Sequence, residues 1–198
     1  MSRSSKRDIR KECKKVMFDL MRETSVEQIT VTQICQAAGI SRVTFYIYYD
    51  DKYMLLDDFF DDLWDSVIAS YKEKIGDESA PLDIFLSFYM SIIHMYYSNQ
   101  DVFSHTVVEA DRNLNVRYYR NIQDYTESLL KDFSDQLRPY FSLKETSSIL
   151  CTCMLGFFNA LKRDQLSEEA MAERFSDLIR MMLRSELFVH GGSFPEKM

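Results

Sequence analysis

The sequence predicts an all-α protein, and three observations carry that prediction. Only five Gly and three Pro punctuate 198 residues, too few turn formers for the repeated short hairpins of a sheet. Apolar residues recur at helical spacing over long stretches, as they do where a helix buries one face. The composition, 46% hydrophobic and 28% charged, is that of an ordinary globular chain long enough for a small domain and a larger one. No apolar run approaches the roughly 18 residues of a membrane span. The N-terminus is basic and polar without an apolar signal core, so a cytoplasmic protein is expected.

The first helix is expected from about Ser5 to Glu23, where Ile9, Cys13, Val16, Met17, Leu20 and Met21 repeat on one face. Residues 30 to 52, TVTQICQAAGISRVTFYIYYDDK, then read as two short helices across a tight turn. Thr30 is placed to cap the first with Gln33 as its capping-box partner, and Val31, Ile34, Cys35 and Ala38 share an apolar face. Gly39 supplies the positive φ that ends it, Ile40 can tuck between the helices, and Ser41 caps the second. That second helix, Arg42 to Tyr49, carries a cation, hydroxyls and aromatics in place of a clean apolar stripe, with Phe45 as its core anchor. This is the layout of a helix-turn-helix DNA reader.

The charge distribution points the same way. The net charge of −7 runs against a DNA binder until it is divided along the chain: residues 1–52 carry ten Lys and Arg against seven Asp and Glu, for +3, and the remainder carries −10. Arg3, Lys6, Arg7, Arg10, Lys11, Lys14 and Lys15 precede the helix pair and are candidates to neutralise phosphates flanking a groove, or form a solvated helix face.

In this segment the chain resembles the tetracycline-repressor-like (TetR) regulators of bacteria. The resemblance lies in Ile29-Thr30-Val31, Ala37-Ala38-Gly39-Ile40-Ser41, Arg42-Val43-Thr44-Phe45-Tyr46, Tyr48-Tyr49, Asp51-Lys52 and Leu55-Leu56, about the first quarter of the chain. Val43, Tyr48 and Asp50 depart from the usual Gly, His and Lys. The domain change is placed between Lys52 and the loop at residues 76–81, giving a three-helix DNA-binding domain over residues 1–52, a connecting helix over about 51–75, and a domain over 53–198 for which the resemblance implies dimerisation and effector sensing. The resemblance also implies that Thr32, Thr44, Tyr46, Tyr48 and Lys52 hold phosphates while Arg42 and Val43 read bases. A guanidinium such as that of Arg42 can bind guanine O6 and N7 with two hydrogen bonds. A two-fold dimer would set its two recognition helices about 34–36 Å apart on double-stranded DNA, so the target is expected to be an inverted repeat.

The fourth helix begins near Asp51 and carries Leu56, Phe59, Phe60, Leu63, Trp64, Val67, Ile68 and Tyr71 on a broad apolar face. Its opposite face, Asp57, Asp58, Asp61, Asp62 and Asp65, is expected to be solvated and to repel DNA beyond the reading head. Residues 76–81 form a linker with Pro81 at the first turn of the next helix. Further helices are expected at about 81–97, 101–110, 113–138, 142–163 and 167–188, before a frayed tail.

The last two helices carry more large apolar side chains than two terminal helices bury alone, with small residues at Gly156 and Ala160. The resemblance implies that they pack into a four-helix bundle with a second copy. Ile149, Cys153, Met154, Phe157, Leu161, Phe175, Leu178 and Met182 are the expected homodimer contacts, the alternative being burial within one subunit. Aromatic and Met residues concentrate in the larger domain. Phe88, Tyr89, His94, Tyr97, Tyr118, Tyr125 and Phe157 are candidates to line a pocket for a small-molecule effector, which the resemblance implies, or to form plain core.

Enzyme chemistry finds little footing. The four cysteines lack CxxC spacing, so Cys13 and Cys35 are expected as small core residues, and no GxSxG, HExxH or Gly-rich phosphate loop occurs. His105 and Glu109, four apart, could face one side of a helix, but His94 and His190 offer no placeable third ligand. No cofactor or metal is expected. The reading is therefore a DNA-binding transcriptional regulator, a repressor by default, with an activator or a module controlled by a protein partner as the alternative.

Overall fold

The computed structural model describes residues 8–76, 79–106, 112–185 and 188. Among them the chain is all-helical, with one isolated antiparallel bridge between Pro139 and Phe188. No helix among the described residues is long and apolar enough to cross a membrane. The chain divides into two compact units, residues 1–66 with 98–111, and 67–97 with 112–198.

The first unit contains α1 (Ile9–Met21), α2 (Val31–Ala38), α3 (Arg42–Tyr48), the first part of α4 (Lys52–Glu73) and α6 (Gln100–Thr106). Short polar side chains set the helix starts. Asp8 accepts from the Lys11 N–H, Thr30 and Gln33 form a reciprocal capping box, Ser41 accepts from Thr44, and Asp51 accepts from Tyr53 and Met54 at 2.8 and 2.9 Å. Each satisfies amides that have no partner in the first helical turn. The core of this unit is made by Cys13, Met17 and Met21 of α1, Ile34 of α2, Phe45 of α3, and Leu55 and Leu56 of α4, all fully buried.

Although α6 follows α5 (Pro81–Ser98) far along the chain, it packs on α1. Arg22 donates to Asp101 at 3.0 and 3.3 Å, and Phe103 lies 6.2 Å from the ring of Phe60. The sequence reading assigns this helix to the larger domain; its buried Val102 and Phe103 instead complete the first unit.

The second unit holds the end of α4, α5, α7 (Arg112–Asp132), α8 (Ser134–Leu137), α9 (Leu143–Arg163) and α10 (Glu168–Leu183), with α9 packed on both α7 and α10. Ser142 and Glu145 cap α9 reciprocally, and Ser167 caps α10. Two boundaries differ from the sequence prediction. The single helix expected over 113–138 stops at Asp132, and one further turn ends at Arg138 in the left-handed region, φ 43°. Arg138 precedes Pro139, and a following proline disfavours the right-handed helical region. The last helix stops at Leu183 rather than near 188, and Phe188, 1% exposed, forms the bridge to Pro139.

Candidate nucleic-acid interface

The turn between α2 and α3 is built as the sequence requires. Gly39 sits at φ 62°, where an L side chain would be strained, and the Ile40 N–H returns to the Cys35 carbonyl at 3.0 Å. Ser41 then starts α3, a helix of 7 residues. At 3.6 residues per turn these fall into rows with distinct surroundings. Phe45, fully buried, and Tyr49, 1% exposed, point inward with their rings 5.6 Å apart. Thr44 and Tyr48 lie half-buried at the flank, and the Thr44 hydroxyl already meets that of Ser41 at 2.8 Å.

Arg42 and Tyr46 form an exposed polar row. The guanidinium lies 3.4 Å from the Tyr46 hydroxyl and 5.9 Å from its ring centre. Val43 and Ile47 form a second exposed row, 74% and 73% accessible. Sequence reasoning named Val43 and missed Ile47. The signal was present: Ile47 stands half a turn from the Phe45 and Tyr49 line, so it points directly away from the core.

Inward, Tyr49 fixes the reading helix to the rest of the unit. Its hydroxyl donates to Asp58 Oδ2 at 2.7 Å, Asp58 also takes contacts from Lys14 and Arg10 at 3.4 Å each, and the Arg10 guanidinium lies over the Tyr49 ring. Burial works against the charged form of Asp58, but the Tyr49 hydrogen bond and the neighbouring Lys14 and Arg10 outweigh it, holding the carboxyl below its usual range. Burial and that same carboxylate push the Tyr49 phenol up. The acidic row of α4 is therefore not simply solvated: Asp58 and Asp62 both engage Lys14.

Those contacts sort the basic residues. Lys14 is committed to two aspartates and Lys15 to Asp19 at 3.1 Å. Arg10 is half-exposed above Tyr49, Lys11 is exposed, and Arg3, Lys6 and Arg7 lie outside the described residues. Lys52, expected as a phosphate contact, uses its three N–H groups on the carbonyls of Val26, Glu27 and Ile29 at 2.7, 2.9 and 2.7 Å. An ammonium has three donors, so this one is occupied in holding the α1–α2 connection. Thr32 is exposed at the start of α2.

Of the residues proposed from sequence for an effector pocket, Phe88, Tyr89 and Tyr125 are in ring contact through Phe88, at 5.2 and 5.0 Å. Phe88 stacks on Tyr125 at 5.0 Å, and both meet Tyr71 at 5.8 Å edge to face. Buried Tyr89 bonds Thr126 at 3.0 Å and lies 3.7 Å from the Cys151 thiol. His94 is exposed, with Nδ1 2.8 Å from Glu168, and the Tyr97 hydroxyl donates to the Leu166 carbonyl. Phe157 packs against Phe175, and the Tyr118 side chain lies outside the described residues.

The expected dimer contacts also divide. Met154, Leu161 and Phe175 are 3–5% exposed within the single subunit, so they serve its own core. Phe157, Leu178 and Met182 are half-buried, while Ile149 and Cys153 are exposed. Leu155 and Met181 join the exposed set at 46% and 65%, and open space surrounds Gly156. Cys13 and Cys35 are buried in the first unit. Among the described residues no group of three or more His, Cys, Asp or Glu could hold a metal ion; His105, Glu109 and His190 have side chains outside them.

No protein-family model matches the chain. Over 91 residues, 46% of its length, it is 29% identical to the uncharacterized HTH-type transcriptional regulator YxbF of Bacillus subtilis (strain 168), and that match spans 21% of the relative. Solved structures similar to it include NalD, the secondary repressor of the MexAB-OprM multidrug efflux pump in Pseudomonas aeruginosa, with TM-score 0.67, 17% identity and coverage of 93% of this chain and 98% of that one. A TetR transcriptional regulator from Streptococcus agalactiae 2603V superposes with TM-score 0.62 at 16% identity, covering 86% and 93%. The dihydroxyacetone kinase operon activator DhaS does so with TM-score 0.56 at 18% identity, covering 90% and 96%. The fold is that of TetR regulators along most of the chain, not only at the N-terminal motif.

Proposed function

We propose that this chain, which shares the TetR regulator fold, is a sequence-specific DNA-binding transcriptional regulator of the cytoplasm, acting as a homodimer on an inverted-repeat operator. One observation carries the reading: α3 is anchored inward through Phe45 and Tyr49 and presents an outward face of Arg42, Val43, Tyr46 and Ile47 that its own unit leaves bare. A helix held so firmly on one side and so open on the other suits insertion into a major groove. Arg42 reads a guanine, Tyr46 and Thr32 meet phosphate oxygens, and Thr44 and Tyr48 do so from the flank. Lys52 acts through the loop that it holds. Ile149, Cys153, Leu155 and Gly156, exposed on α9, with Met181 on α10, form the surface that a second copy covers.

Repression, with release by a small molecule bound in the larger unit, is the first reading of control. Control by a protein partner is the second, and the ring contacts of Phe88, Tyr125 and Tyr71 favour it, since Phe88 and Tyr125, two candidates for a pocket wall, stack on each other and meet Tyr71 edge to face. The test is selection of bound duplexes from a random pool, with the mass of the protein measured in solution. A dimer that enriches an inverted repeat with centres about one helical turn apart supports the reading. A folded monomer that enriches no sequence would refute it.

A further inference from the structure

We infer that Val43 and Ile47 together read the 5-methyl groups of thymines in the major groove. The inference rests on the DNA-reading function proposed above and adds a partner chemistry for the apolar half of the same face.

The two side chains are one helical turn apart and therefore neighbours on α3, each about three-quarters exposed. Single exposed aliphatics are ordinary on protein surfaces. Here two are adjacent, and one occupies the position directly opposite the buried anchors Phe45 and Tyr49, where a short helix would be expected to carry its most polar residue. Beside them runs the row of Arg42 and Tyr46, with a guanidinium and a phenol hydroxyl 3.4 Å apart. A cation and hydroxyl next to an aliphatic ridge match a surface that is anionic and polar but carries discrete apolar groups. Among base edges in the major groove, the thymine methyl is the apolar group, while guanine O6 and N7 accept from an arginine. A purely apolar protein surface would leave the Arg42 charge uncovered, which favours DNA as the occupant.

The experiment uses the full chain and the duplex enriched by selection. Each thymine of one half-site is replaced in turn by deoxyuridine, which removes the methyl and keeps the base pairing, and affinity is measured by fluorescence anisotropy. Loss of a covered methyl should weaken binding about four-fold at two positions. Ile47→Ala should abolish that sensitivity at one position and Val43→Ala at another, because a contact shared by two groups is lost only once. Both variants should fold, since the side chains are exposed and alanine is the better helix former. A repeat that is bound without methyl sensitivity, or with the same sensitivity in both variants, overturns the inference and leaves the DNA reader standing. Unchanged methyl sensitivity with a shift in the self-association of the DNA-free protein would mean that a second copy covers this face, and the inference falls. Failure of the wild type to bind any repeat overturns both.

Discussion

In the first unit the helices start from Asp8, Thr30, Ser41 and Asp51, four short side chains that each take up free amides, and one face of α3 is left bare. In the second unit the polar groups of Tyr89, Thr126 and Cys151 turn inward to one another, and Tyr71, Phe88 and Tyr125 pack ring on ring. The first arrangement rigidifies a small body so that an outward surface is held ready. The second is stabilised by interior contacts among these polar groups and rings. On the reading proposed above, recognition belongs to the bare face of α3, and the larger unit supplies control.

Substitutions at the anchors should separate the two units most strongly. Phe45→Ala should cost about 3–5 kcal/mol and speed hydrogen exchange in α1–α3, whereas Phe88→Ala should cost a similar amount and speed exchange in α5 and α7. Denaturant titration with exchange mass spectrometry reads both, and protection lost in the same helices by both variants would dissolve the distinction. Lys52→Met removes three charge-assisted bonds to backbone carbonyls and should destabilise the first unit by roughly 2–3 kcal/mol, visible as a lower denaturant midpoint even without DNA. If stability is unchanged while DNA affinity alone falls, Lys52 is a phosphate contact after all. Thr30→Ala deletes one half of the α2 capping box and should cost about 1 kcal/mol; a neutral result would show that tertiary packing alone sets where α2 begins.

The smallest effect is a pH dependence. The Asp58 carboxyl is held below its usual range, so the folded unit binds that proton less readily than the unfolded chain. The stability it contributes is present above the ordinary carboxylate value of about 4 and lost as pH falls through the lowered one. Asp58→Asn should therefore flatten the acid side of the stability profile relative to wild type. Parallel profiles would mean that the Tyr49 hydrogen bond does not depend on the charge.

The features that sequence reasoning reaches are mostly local. The Thr30 and Gln33 pair, the positive φ of Gly39, the caps at Ser41 and Asp51 and the burial of Phe45 each follow from chemistry within four or five residues, and each is found. The likeness to TetR regulators, drawn from one quarter of the chain, extends to the fold of most of it. Residues whose surroundings come from afar are read less well. The attachment of α6 to α1 depends on a helix some 80 residues earlier, and nothing near Val102 announces it. Lys52 resembles any basic residue flanking a reading helix, and only the fold brings three carbonyls under its ammonium. Met154, Leu161 and Phe175 share helical faces with exposed neighbours, and periodicity alone does not say which edge of an apolar stripe meets the subunit's own core.

The most direct test is to repeat the selection from random duplexes with Arg42→Ala beside the wild type. Arg42 is exposed and bonds the solvent-facing Tyr46, so the variant should unfold at nearly the same denaturant concentration. If the outward face of α3 reads bases, both proteins enrich the same inverted repeat except at one base pair per half-site, where the variant loses roughly 1–3 kcal/mol of discrimination. An identical consensus from the two proteins, or a uniform loss on every duplex, would contradict it.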